Sequence, residues 1–120
     1  MKIGTDIIEI ERIAKAVTKS HFATRVYTSQ ELAYATSRGK QRDASLAGMY
    51  AAKEAFVKAL GTGFRDGSWQ DLEVCRDKLG APYMVLQGVF KDLYTSRGFT
   101  QLEVTISHCR TYAVATVLLQ

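Results

Sequence analysis

Residues 44–60 read ASLAGMYAAKEAFVKAL, and this stretch carries the strongest helical signal of the chain. Its alanine, leucine, methionine, lysine and glutamate residues are good helix formers, so we expect one long helix. Gly61 follows the stretch and supplies a residue that often ends helices. Ala47, Ala51 and Ala55 recur every four residues, and such a row of small side chains lets another backbone approach the helix closely.

The patterns on either side of this stretch predict an α+β fold. Before it they predict a strand over Ile3–Ile8 that ends near Asp6, followed by a helix over about Ile8–Lys19. A second helix is expected from the capping box Thr28-Ser29-Gln30-Glu31 to about Ser37. The polar residues Ser37–Asp43 then predict a loop. After it they predict a helix around Val89–Tyr94 and strands over Trp69–Cys75, Tyr83–Leu86, Leu102–Ile106 and Tyr112–Leu119. The order β-α-α-α-β-β-α-β-β, with antiparallel hairpins and segregated helices, indicates one α+β domain over residues 1–120.

Composition and charge narrow the class of protein. Of the 120 residues, 47% are hydrophobic and 23% are charged, which is typical of a soluble globular domain. The longest apolar stretch, Ala113–Leu119, is too short to span a bilayer, and the N-terminus lacks the apolar region of a signal peptide, so we expect a cytoplasmic protein. The net charge of +4 suits an acidic partner, whether a nucleic acid, a phosphorylated cofactor or an acidic protein. Cys75 and Cys109 lack the spacing of a zinc site and are expected to be free thiols.

Three charged residues are candidates for metal and phosphate chemistry. Glu54 and Lys58 lie four residues apart on one helix face, which favours a plain surface ion pair. Glu54 also lies among small and apolar neighbours, where a buried carboxylate needs a partner and a metal ion can supply it. Asp6 at the mouth of a strand either caps the following helix or joins Glu54 in holding Mg²⁺, which prefers one or two carboxylates, waters and phosphate oxygens.

Weaker signals concern phosphate binding. Ser107 and His108 follow an apolar strand. They are either exposed turn residues or, if a phosphate lies nearby, both contact it, and His108 is then charged. Gly61-Thr62-Gly63 has some character of a phosphate-binding loop but lacks the Walker pattern, and most such glycines only end helices.

A basic stripe marks the first predicted helix. Arg12, Lys15 and Lys19 recur on one face, and Arg25 lies just beyond them. The stripe is either a solvated surface or a dock for an acidic helix that it steers and orients.

Three motifs in order resemble the small holo-acyl-carrier-protein synthases. They are IGTDIIEIERI at residues 3–13, AKEAFVKALGTG at residues 52–63, and VTISH at residues 104–108 followed by Tyr112-Ala113. The resemblance covers nearly the whole chain. It implies a 4′-phosphopantetheinyl transferase fold, usually homotrimeric, with active sites between subunits.

The resemblance also implies an activity. The expected reaction is the magnesium-dependent transfer of 4′-phosphopantetheine from coenzyme A to a serine of an acidic acyl carrier protein. Its second product is adenosine 3′,5′-bisphosphate, and its role is in fatty acid biosynthesis. No nucleic-acid or membrane partner is expected.

The same resemblance assigns roles to residues. Asp6 and Glu54 match the magnesium ligands, and Lys58 matches a lysine that faces the coenzyme A phosphates. Lys53 and His108 match the cofactor-binding region, and the phosphate signals above add Gly61 and Ser107 to that set. Three further positions match the surface that receives the carrier protein: Arg12, Phe22 and Arg25.

The chain departs from the family at two places. Many relatives have Arg-Phe where this chain has Met49-Tyr50, so an arginine that helps to hold a phosphate is missing. His21 replaces a commonly basic residue beside Phe22, so we expect the strength of carrier docking to depend on pH. Two other functions stay open: a basic binding module in which Glu54 and Lys58 form only an ion pair, and a metal-dependent phosphoester hydrolase that cleaves coenzyme A without a carrier.

Overall fold

The computed structural model describes residues 1–62 and 67–120, so the predicted loop residue Gly63 lies outside the described residues. The strands are β1 (Lys2–Glu9), β2 (Leu72–Arg76), β3 (Pro82–Leu86), β4 (Leu102–His108) and β5 (Tyr112–Leu119). The α-helices are α1 (Ile10–Ala16), α2 (Phe22–Val26), α3 (Ser29–Ser37), α4 (Arg42–Leu60) and α5 (Gly88–Ser96). Short 3₁₀ turns lie at Gly39–Gln41 and Trp69–Asp71.

The strands of the described residues form two antiparallel sheets. One sheet has the order β1-β5-β4, and the other pairs β2 with β3. In the larger sheet Asp6 of β1 pairs with Ala115 of β5, which pairs with Ile106 of β4. The alternate residues of β5 that face α4 are buried, namely Ala113, Ala115, Val117 and Leu119. The predicted α+β class is therefore confirmed.

Close contact between α4 and β1 defines the centre of the molecule. The predicted row of small residues is fully buried, with Ala47, Ala51 and Ala55 each 0% exposed. Gly4 of β1 faces this row, and a Cβ atom added there would collide with the carbonyl oxygen of Ala55. Glycine at this position therefore lets the strand lie directly against the helix backbone, which confirms the close approach predicted from the sequence.

The first strand and helix differ from the prediction. Pairing with β5 continues from Lys2 to Glu9, so β1 does not end near Asp6. Asp6 lies within the strand and Glu9 precedes the helix, so the interpretation of Asp6 as a helix cap is wrong. Helix α1 ends at Ala16, which leaves Lys19 outside the helix that was expected to carry the basic stripe.

Short elements account for the other differences. Helix α2 was not predicted, because five residues show too little periodicity to be recognised. The segment before Leu72 is a 3₁₀ turn rather than strand, since the Ser68 side chain accepts a hydrogen bond from the Gln70 backbone. The segment expected to be a polar loop instead forms the 3₁₀ turn at Gly39–Gln41 and the first residues of α4, at Arg42 and Asp43.

Several local predictions are confirmed. The Thr28 hydroxyl accepts a hydrogen bond from the Glu31 backbone at 3.1 Å, and Oε1 of Glu31 accepts one from the Thr28 backbone at 2.9 Å. Gly61 ends α4 in the left-handed region, with φ of 81°. Cys75 and Cys109 are free thiols. Within the described ranges, every helix is too short or too polar to cross a bilayer.

Replacing Gly4 with alanine is expected to destabilise the protein by about 3 kcal/mol or to prevent folding, because the new methyl group collides with backbone rather than with a movable side chain. Urea unfolding of the purified variant measures the loss. Gly80→Ala is the control, since its site is open and only its positive φ of 88° is unfavourable, for a cost of about 1–2 kcal/mol. Equal stability of Gly4→Ala and the unmodified chain would contradict the close packing of β1 on α4.

Candidate active site

A cluster of charged groups lies where α4 crosses β1. Nζ of Lys58 lies 3.0 Å from Oδ1 of Asp6 and donates a second hydrogen bond to the Thr5 carbonyl at 3.1 Å. The Asp6 side chain is 16% exposed and that of Lys58 is 53% exposed, so the cluster opens to solvent on the lysine side. An ammonium in this position can therefore contact an anion arriving from solvent.

Glu54 lies one helical turn before Lys58 and is half-buried. Burial raises the pKa of its carboxyl above the ordinary value, and the negative charge of Asp6 raises it further. The charges of Lys58 and Arg12 act in the opposite direction. Among the ion pairs between described residues, the partner of Lys58 is Asp6. The interpretation of Glu54 and Lys58 as a plain surface pair is therefore wrong.

The two carboxylates suit a magnesium ion. Asp6 and Glu54 are close enough for the charge of one to shift the pKa of the other, and a divalent cation between them would relieve this repulsion. Residues 1–62 and 67–120 contain no group of three or more metal-ligating side chains. Magnesium commonly binds through one or two carboxylates and completes its shell with water and phosphate oxygens. The residues present therefore fit Mg²⁺.

An aromatic row adjoins Glu54. The ring of Tyr50 stacks on Trp69 at 5.1 Å between centroids and lies 6.2 Å from the ring of Phe22. Burial raises the pKa of the Tyr50 hydroxyl, and Glu54 raises it further through its charge and a hydrogen bond. Tyr50 is a departure from the family, and its contact with Glu54 was not predicted from the sequence. The spacing of four residues from Glu54 was the signal that could have revealed it.

The predicted docking residues lie around the same cluster. The Arg25 guanidinium lies 5.9 Å from the centre of the Phe22 ring, and both residues belong to α2. The charge of Arg12 lowers the pKa of both Glu54 and Tyr50, so it stands at the edge of the carboxylate site. The fold thus brings Arg12 near Glu54, and it relates Phe22 and Arg25 to Glu54 through the Tyr50 ring.

Lys53 differs from its predicted role. Its side chain is 0% exposed, and Nζ donates to the Val26 carbonyl, to Oε1 of Glu31 and to the Trp69 carbonyl at 2.7, 2.8 and 3.0 Å. An ammonium has three N–H donors, so these bonds use all of them. Lys53 is the neighbour of Glu54 in sequence, but the helix turns its side chain into the core. In this structure its ammonium has no donor left for a phosphate.

The other predicted cofactor residues are divided between two places. Gly61 lies at the end of α4, close in sequence to Lys58. His108 is the last residue of β4, two strands from β1, and lines a cavity of about 530 Å³ with Lys40 and Arg110. Ser107 points to the opposite sheet face, because successive strand residues alternate. Within one chain, Ser107 and His108 therefore lie on opposite faces of the sheet and apart from the carboxylate cluster.

Comparison with known proteins relates this arrangement to a family. Residues 2–117 match the sequence model of the 4′-phosphopantetheinyl transferase superfamily. A holo-[acyl-carrier-protein] synthase of Fusobacterium nucleatum is 46% identical over 118 residues, covering 98% of this chain and 96% of the relative.

Solved structures agree with that match. The crystal structure of the holo-[acyl-carrier-protein] synthase of Neisseria meningitidis is similar with a TM-score of 0.88 and 31% identity, covering 99% of this chain and 97% of that one. The Helicobacter pylori synthase, solved in complex with coenzyme A, has a TM-score of 0.84 and 31% identity. The match covers 98% of this chain and 99% of that one. These likenesses cover nearly the whole chain, including β1 and α4, which carry the charged cluster.

Replacing Glu54 with glutamine is expected to stabilise the metal-free protein at pH 7. The folded-state pKa of Glu54 is raised, so its ionised form opposes folding at neutral pH, and this cost disappears as the pH falls below the ordinary value of 4.5. The advantage of the variant should therefore shrink between pH 7 and pH 4. Thermal unfolding in EDTA across this range measures it.

Glu11→Gln is the matched control, because Glu11 is exposed and pairs with Lys15 at 3.3 Å. It should bring no gain in stability at pH 7. A Glu54→Gln variant that is less stable than the unmodified chain at pH 7 would show that the carboxylate is not under electrostatic strain.

Proposed function

Because the chain belongs to the 4′-phosphopantetheinyl transferase superfamily, as a member of its holo-[acyl-carrier-protein] synthase family, we propose that Asp6, Glu54 and Lys58 form its magnesium-dependent active site. The observation that carries the proposal is the meeting of two carboxylates and an ammonium where α4 crosses β1. The substrates are coenzyme A and the serine of an apo-acyl carrier protein. The products are the holo-carrier and adenosine 3′,5′-bisphosphate.

The residues divide the chemistry between them. Asp6 and Glu54 would hold Mg²⁺, which supplies charge neutralisation at the coenzyme A pyrophosphate. Lys58 adds a positive charge that stabilises the leaving phosphate. The serine oxygen bonds to the β-phosphorus as the bond from that phosphorus to the bridging oxygen breaks. Glu54 accepts the serine proton.

The carrier protein docks on the surface beside the cluster. Arg12 and Arg25 attract its acidic face, and the Phe22 ring offers a nearby apolar contact. Phe22 lies 6.2 Å from the Tyr50 ring, and Tyr50 interacts with Glu54, so a carrier bound there has its serine near the carboxylates. His108 and Ser107, with Gly61 at the end of α4, contribute to coenzyme A binding.

We further propose a homotrimer. The outer face of the larger sheet exposes apolar side chains, with Ile3 at 68% and Ile7 at 63%. Apolar faces of this kind commonly cover one another in assemblies, and the number of three subunits follows from the family resemblance. Assembly would let the basic cavity beside His108 of one chain complete the carboxylate site of another.

The cellular compartment and the pathway follow from the substrates. We propose that the enzyme acts in the cytoplasm and supplies holo-carrier protein for fatty acid biosynthesis. Two free thiols, at Cys75 and Cys109, agree with a reducing compartment. Membership of an enzyme family argues against the alternative of a binding module, and the assay below distinguishes transfer from hydrolysis.

Transfer is measured by the intact mass of apo-acyl carrier protein after incubation with the enzyme, coenzyme A and Mg²⁺. We expect the carrier to gain one phosphopantetheine, and EDTA to abolish the gain. Asp6→Asn and Glu54→Gln should each lower the initial rate by about 10²–10³-fold, because each removes one carboxylate that charge neutralisation requires. Glu11→Gln, the exposed control, should stay within about twofold of the unmodified rate.

Three outcomes would count against this proposal. Normal turnover by Glu54→Gln would remove that residue from the mechanism. Cleavage of coenzyme A without any carrier would indicate a hydrolase. Full transfer in EDTA would exclude the magnesium requirement.

The assembly is tested separately by light scattering during size-exclusion chromatography. Ile7→Asp puts a charge on the apolar outer face and should convert a trimer of 13.3 kDa chains into monomers. Val89→Asp, at an exposed apolar residue of α5, is the control and should remain trimeric. A monomeric unmodified chain, or an Ile7→Asp trimer, would refute an interface on this face.

A further inference from the structure

Lys53 and Glu31 form an ion pair that is closed to solvent and that the proposed chemistry does not use. Both side chains are 0% exposed, with Nζ 2.8 Å from Oε1. Replacing a buried ion pair with apolar residues is often neutral or stabilising, so such a pair is weak evidence for stability. Its contribution lies in the relative positions of the segments that it connects.

The pair connects four segments of the chain around α4. The Lys53 ammonium binds the Val26 carbonyl at the end of α2 and the Trp69 carbonyl in the 3₁₀ turn. Glu31 lies in the first turn of α3, and its Oε2 accepts a hydrogen bond from the Val74 backbone in β2 at 2.8 Å. The ion pair thus connects α2, α3, β2 and the 3₁₀ turn to α4.

Helix α2 is held by hydrogen bonds from neighbouring segments. It has only five residues, which is too few to be stable alone. Its C-terminal carbonyl groups need partners, and a cation there is favourable. Lys53 binds the Val26 carbonyl, and the Gln70 side chain binds the carbonyls of Thr24 and Tyr27. The position of α2 relative to α4 is therefore set mainly from its C-terminal end.

The same lysine fixes the aromatic row that leads to Glu54. It binds the backbone carbonyl of Trp69, whose ring stacks on Tyr50. Tyr50 in turn lies between the Phe22 ring of α2 and the carboxylate of Glu54. The ammonium thus holds both ends of the row, α2 at one end and the 3₁₀ turn at the other.

We infer that Lys53 is a positioning residue for the carrier protein and not a cofactor contact. It holds Phe22 and Arg25 at a set position relative to Glu54, so that a docked carrier presents its serine to the site. This inference rests on the proposed docking role of α2. It predicts a defect in carrier binding with coenzyme A binding intact.

The test is the double variant Lys53→Met with Glu31→Gln, which removes both charges and leaves neither partner ionised and unpaired. Steady-state kinetics are measured well below the melting temperature. The concentrations of apo-carrier and of coenzyme A are varied separately. The KM for the carrier should rise about tenfold, because a displaced α2 loses contacts, while the KM for coenzyme A should stay within about twofold.

Two further variants are measured beside it. Thr28→Ala weakens the N-terminal cap of α3 without removing the ammonium, so it serves as the control for stability loss and should leave both KM values within about twofold. Arg25→Ala tests the docking surface itself and should raise the KM for the carrier.

The outcomes are distinguishable. A raised KM for coenzyme A in the double variant would assign Lys53 to the cofactor and overturn the inference. If the double variant shows only a lower kcat, and Thr28→Ala shows the same fall at an equal melting temperature, then Lys53 has only a structural role. If Arg25→Ala raises the carrier KM and the double variant does not, the inference fails and the docking proposal stands. If Arg25→Ala has no effect, the docking surface is misassigned and the inference fails with it.

Discussion

The contact between α4 and β1 is the constraint on which the rest of the structure depends. A strand can lie this close to a helix only where neither brings a side chain between the backbones, and Gly4 facing the buried alanines satisfies that condition. The contact brings Asp6 of the strand to the face of the helix that carries Glu54 and Lys58. Charged groups from two distant parts of the chain are thereby assembled on a rigid frame rather than on a loop, which is the arrangement that the proposed metal and phosphate site requires.

The charges along α4 illustrate how neighbouring residues acquire different roles. Lys53 and Lys58 are both lysines on one helix, yet one is sealed in the core and the other is half exposed. The difference follows from helical geometry, since five residues correspond to nearly one and a half turns and place the two side chains on different faces. Glu54 lies between these environments, which is why its pKa is raised by burial and moderated by neighbouring cations. Buried and exposed charges on one helix thus separate support of the fold from the proposed contact with the reactants.

The same geometry gives the small helix α2 its importance. It is too short to persist alone, and its carbonyl groups are bound by side chains from α4 and from the 3₁₀ turn. The proposed docking surface on α2, held in this way, keeps a set distance from the carboxylates. The cost is the burial of an ionised pair, which is tolerated because each oxygen and each N–H of that pair has a partner.

The sequence by itself determined the long helix, its end at Gly61, the capping box, the α+β class and the family, because these rest on local spacing and on contiguous motifs. It also selected Asp6, Glu54 and Lys58. It did not reveal that Lys58 pairs with Asp6 rather than with Glu54, that Lys53 faces the core, or that Tyr50 contacts Glu54. Only the tertiary structure decided these points, because the burial of a charge and the choice of its partner depend on which segments pack around it, and residues as distant as Asp6 and Lys58 meet only after folding.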